Sequence, residues 1–209
     1  MTYPGGRTAR LALLVPLLTS ACGEYVRQGT SPSQVVIMLL EAASGAQPEA
    51  FGGTLRSDVI TAVHRTVEGQ QIDVPTVFGD SGRVTMSLTR KDSGSPSGAS
   101  GPSTMNRVTF TRYRVSYRRA DGYNMPGVDV PFAWDSGATF TVPVEGTVSV
   151  LFELVRRSAK EEAPLAALRT GSVVISTIAD VSFFGRDLTG HDVAVTGSIG
   201  VSFGNFVDP

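Results

Sequence analysis

VVISTIADVSFF (residues 173–184) and VAVTGSIGVSF (residues 193–203) decide the fold. In the second segment Val193, Val195, Ile199, Val201 and Phe203 share one parity, while Ala194, Thr196, Ser198 and Ser202 share the other. Successive side chains of a strand point to opposite faces, so this pattern describes a strand with one core face and one wet face. The residues between, GRDLTGHD (185–192), bracket a turn with glycines and aspartates. The two segments therefore read as a hairpin.

Working outward, Phe140, Val142 and Val144 alternate, Glu145-Gly146 turns the chain, and Val148, Val150, Phe152 and Leu154 alternate again. That predicts a second hairpin with a buried face. Val108 and Phe110 lie on one parity and Tyr113, Val115 and Tyr117 on the other, so a β-bulge is expected near Thr111. Val84, Met86 and Leu88 alternate after a turn read at Asp80-Ser81-Gly82, and Val59, Ile60 and Val63 form an apolar patch after Gly52-Gly53. The run at residues 35–40 reads as a buried first strand, with a helix over residues 34–43 as the competing reading. A single short helix is expected around residues 164–169. Repeated short strands with turns between them predict an all-β fold, an antiparallel β-sandwich. Residues 92–104, nearly all Ser, Gly, Pro, Ala and Thr, cannot bury apolar area and read as a flexible loop. Residues 35–209 are then a single β-sandwich domain with that loop as an excursion.

The N-terminus carries a different signal. Arg7 and Arg10 precede an apolar run at residues 11–18, and Thr19-Ser20-Ala21 leads to Cys22, the one cysteine of the 209 residues. As a helix the run spans about 12 Å, against the ~30 Å of a bilayer core, so it is too short for a permanent anchor. These residues resemble the lipobox of bacterial lipoproteins. The resemblance implies a signal peptide at residues 1–21, acylation of Cys22, a lipidated tether over residues 22–34 and attachment to a membrane. An ordinary secretory signal cut nearby is the alternative. Gly23, where Asp would favour retention at the inner membrane, implies the outer membrane of the cell envelope. The pattern over residues 108–206 resembles an immunoglobulin-like or fibronectin-like domain, without the paired cysteines of a true immunoglobulin domain.

Chemistry is sparse after Cys22. The chain has 18 basic and 19 acidic side chains, and the segment before Cys22 removes two of the basic ones, which argues against nucleic-acid binding. Arg112, Arg114, Arg118 and Arg119 read as a solvated strand face. Two histidines, His64 and His191, and no Gly-x-Ser-x-Gly, His-Glu-x-x-His or phosphate-binding motif leave no catalytic constellation and no implied cofactor. Asp187, His191 and Asp192 share a loop and could ligate a cation, as could Asp121, Asp129 and Asp135; turn formation is the blander reading of each. Tyr113, Tyr117, Tyr123, Phe132 and Trp134 could stack on a ligand or pack in the core. The expectation is a noncatalytic, lipid-anchored envelope protein that binds or scaffolds another envelope component. The alternative is a glycan- or peptide-binding module using the loops at residues 121–135, with Asp121, Tyr123, Asp129, Trp134 and Asp135 as its ligand-binding residues. An enzyme would need His64 or His191 in a pocket beside a carboxylate and a serine.

Overall fold

The computed structural model describes Ser31, residues 33–90 and residues 106–206. Cys22, most of the tether and the loop at residues 92–104 lie outside the described residues. Ten strands run β1 Ser33–Ala43, β2 Thr54–Asp58, β3 Thr61–Val67, β4 Gln70–Thr76, β5 Asp80–Arg90, β6 Val108–Arg118, β7 Trp134–Val142, β8 Thr147–Val155, β9 Ile175–Asp187 and β10 Asp192–Gly204. A three-stranded sheet ordered β1-β5-β8 faces a five-stranded sheet ordered β2-β10-β9-β6-β7, and β3-β4 forms a separate two-stranded ribbon. Pairing is antiparallel except where β2 joins β10 in parallel. Among the described residues no helix is long and apolar enough to cross a membrane.

The β9–β10 hairpin and its parity are as read: Ile199, Val201 and Phe203 are buried, and they join the inward side chains of both sheets in one core cluster. The register of β6 slips between Phe110 and Arg112 against both neighbours, which is the expected bulge. Either side of it, Phe110, Tyr113 and Phe183 pack edge-on or tilted, with Phe140, Phe152 and Trp134 around them. Tyr113 and Tyr117 reach across from β6 to β8. The Tyr113 hydroxyl donates to the Glu153 carbonyl at 3.1 Å and accepts from its N–H at 3.2 Å, and Tyr117 donates to the Leu154 carbonyl at 2.7 Å. Burial pushes both phenols above their ordinary pKa, so both remain neutral donors.

Several expectations are corrected. The alternation over residues 140–154 is not a hairpin: β7 pairs with β6 in one sheet and β8 with β5 in the other, so the Glu145-Gly146 turn carries the chain between layers. Asp80-Ser81-Gly82 is the start of β5, and Gly82 is needed because a Cβ there would lie 2.3 Å from the Phe152 ring. The first segment is a strand, not a helix, and already begins at Ser33, inside the expected tether. It is an edge strand whose bulge between Ile37 and Leu39 turns Met38 and Leu39 to solvent, so it is only partly buried. Two short helical pieces replace the single one: α1 Arg157–Glu161 and a 3₁₀ turn, Leu165–Thr170. The β3–β4 ribbon, closed by Glu68 and Gly69 at positive φ, had been seen only as an apolar patch.

Candidate functional site

The β6–β7 connection, residues 119–133, is the segment whose construction exceeds what a link needs. It is tied down internally. Asn124 Oδ1 accepts from the Arg119 N–H at 2.6 Å, Asp121 accepts from the Tyr123 N–H at 3.2 Å, and Asp129 accepts from the Met125 N–H at 2.9 Å. The Met125 carbonyl in turn accepts from the N–H groups of Val128 and Asp129, and the Gly127 N–H donates to Val130. Val130 inserts into the core as the anchor. Gly127 takes positive φ and leaves room for Phe132, whose ring a Cβ would meet at 2.4 Å. The result is an ordered loop holding Tyr123, Met125, Val128 and Phe132 outward at 65%, 62%, 61% and 51% exposure. Four large apolar side chains within ten residues, displayed on a rigid frame, form a preorganised contact surface.

The loop lies at the end of the sandwich opposite the tether. β1 enters beside the β9–β10 turn, where Ser31 bonds Asp187, and Val108 pairs with Asp187 at that same end. Arg118 pairs with Ile178 at the other end of β6, about 36 Å away for an eleven-residue strand.

The expected site residues separate. Asp121, Tyr123 and Asp129 belong to this loop, but both carboxylates are committed to it, Asp121 also pairing with Arg119. Trp134 opens β7 and is buried between Tyr113 and the Arg156 guanidinium, so it is core, not a ligand platform. Asp135 lies on the outer sheet face between Arg112 and Arg114, at 2.9 and 2.7 Å. Met125 and Val128 were missed, although apolar residues without alternation in a Pro- and Gly-punctuated stretch are the signal that would have found them.

Elsewhere the chemistry is structural. Asp187 caps its turn: burial raises its pKa, but hydrogen bonds from the Thr189 hydroxyl, the His191 N–H, the Ser31 hydroxyl and the His191 ring outweigh this and bring it to about 2. Thr189 and Asp187 both face Nδ1 of His191, so the ring cannot relay a proton between them. His64 and Asp73 pair at 2.5 Å on the exposed ribbon. Among the described residues no group of three His, Cys, Asp or Glu side chains is placed to hold a metal ion. A groove of about 480 Å³ on the outer face includes Arg112 and Arg186, each already paired with an aspartate. Lys160, fully buried, lies 2.8 Å from Oδ2 and 2.9 Å from Oδ1 of Asp80 and 2.8 Å from the Asp58 carbonyl; Ser57 and the Gly45 N–H also bond Asp80. This network ties the β1–β2 connection, β2, β5 and α1 together at the end of the sandwich that carries the β6–β7 loop. The sequence matches no family model, and no curated protein or solved structure is detectably similar to it.

Proposed function

We propose that this chain is a lipid-anchored cell-envelope protein of the outer membrane, held through Cys22, whose immunoglobulin-like sandwich binds another envelope protein noncatalytically through the β6–β7 loop. The sheet orders support the immunoglobulin-like reading: β1-β5-β8 corresponds to A-B-E, and β10-β9-β6-β7 to G-F-C-C′. The observation that carries the binding reading is the ordered display of Tyr123, Met125, Val128 and Phe132. A protein surface fits this display better than a glycan. Met125 and Val128 offer nothing to sugar hydroxyls, Trp134 is buried, and the loop carboxylates are occupied.

The test is photo-crosslinking in native membranes from a reactive residue at Met125, with Thr196 on the outer sheet face as the control site. A discrete protein adduct from position 125 alone, lost with Tyr123→Ser and Val128→Ser, is expected. No adduct, a carbohydrate adduct, or the same adducts from both positions would refute the reading.

A further inference from the structure

Four strands end the two sheets, and three are blunted. β1 is bulged, carries Glu41 and lays Ile37 and Leu40 over Gly197 of β10. β2 is five residues long, with Arg56 and Asp58. β7 carries Asp135 and Gly137 and faces the β6 bulge. β8 differs: among the described residues it pairs with β5 alone, and from Thr147 to Glu153 it contains no Lys, Arg, Pro or Gly and no register shift. A flat, uncharged, β-prone edge is a template for another strand, and natural sheets ordinarily defend such an edge. Its surroundings are also apolar. Leu151 is 64% exposed on the outer face, and Val148, Val150, Ala138 and Phe140 are only partly covered along the seam between β8 and β7.

We propose that β8 pairs antiparallel with β8 of a second copy of this chain, joining two three-stranded sheets into one of six strands. The segment is self-complementary. The regular stretch of seven residues pairs completely only about a two-fold axis at Val150, which sets Thr147 opposite Glu153, Val148 opposite Phe152 and Ser149 opposite Leu151 of the second copy. That register places inward side chains beside inward ones and outward beside outward. It opposes no like charges, because each Glu153 meets a threonine, and it brings the two exposed leucines into diagonal contact across the axis. The same patch serves both copies, as a closed two-fold interface requires. This pairing is independent of what the β6–β7 loop binds.

The full chain carrying Leu151→Cys, treated in native membranes with a short bis-maleimide, tests the pairing, with Thr196→Cys and the unsubstituted chain as controls. A crosslinked dimer from Leu151→Cys alone is expected. Adding Ser149→Lys, an exposed substitution that restores an edge defence, should abolish most of that dimer while leaving the circular dichroism unchanged. The proposal is overturned by no dimer from Leu151→Cys, by equal yields at both positions, or by a yield that Ser149→Lys leaves unaltered in a folded chain.

Discussion

Replacing Lys160 by methionine removes one partner of an ion pair whose side chains are 1% and 0% exposed. The ammonium of Lys160 makes three contacts, at 2.8 and 2.9 Å to the Asp80 oxygens and 2.8 Å to the Asp58 carbonyl. Without it, the Asp80 carboxylate keeps only the Ser57 hydroxyl and the Gly45 N–H, and stays away from water. Orphaning one charge of a buried pair costs about 3–5 kcal/mol. The double replacement Lys160→Met with Asp80→Leu removes both charges and leaves Ser57, Gly45 and the Asp58 carbonyl short of partners, each costing about 1–3 kcal/mol. The double variant should therefore be destabilised by less than the sum of the single ones, with a coupling of about 2–3 kcal/mol. Urea unfolding followed by the fluorescence of Trp134, the one tryptophan, buried against Tyr113 and Arg156, reads all four proteins. A Lys160→Met loss below about 1 kcal/mol, or strict additivity, would show that the pair is not desolvated and would refute the reasoning.

Phe203→Ala, at a fully buried position against Tyr117, should cost about 3–5 kcal/mol in the same assay, and a negligible loss would contradict the packing. Asp187, with its pKa held at about 2, contributes stability above its unfolded pKa of ~4 that is lost as the pH falls toward 2. Asp187→Asn should thus lower stability by about 2 kcal/mol at neutral pH and flatten the acid profile between pH ~4 and ~2; unchanged profiles would contradict the turn assignment. Cys22→Ala should remove the acyl mass and release the protein from membranes without unfolding it, as read by intact mass and fractionation; stable membrane retention would count against the anchor.

What could be read from the sequence follows from what leaves a periodic trace. The inward parity of β10 and the slip at Thr111 were legible because apolar and polar residues alternate against a single wet face. The same alternation in β7 and β8 says that each has a core face but not which strand it pairs with, so a sheet-to-sheet crossing was mistaken for a hairpin. Trp134 was placed in a loop because Pro131-Phe132-Ala133 masks the start of β7. Lys160 sits within RSAKEE, a stretch that reads as solvated, and its burial is imposed by Asp80, eighty residues away. The β6–β7 loop was singled out for its aspartates and aromatics. Its apolar display depends on which side chains the hydrogen-bonded frame turns outward, and composition alone does not encode that.

The clamp between Ser31 and Asp187 bears on mechanics. A protein held by its N-terminus and gripped at the far end is loaded along its strands, and the load enters at β1. β1 runs antiparallel to β5 over its whole length, with ladder hydrogen bonds perpendicular to the pull. Tension therefore shears the ladder, so that many bonds must yield together, instead of unzipping it bond by bond. The Ser31 contact to Asp187 passes part of that force to β9 and β10, making the second sheet a sharer of the strain.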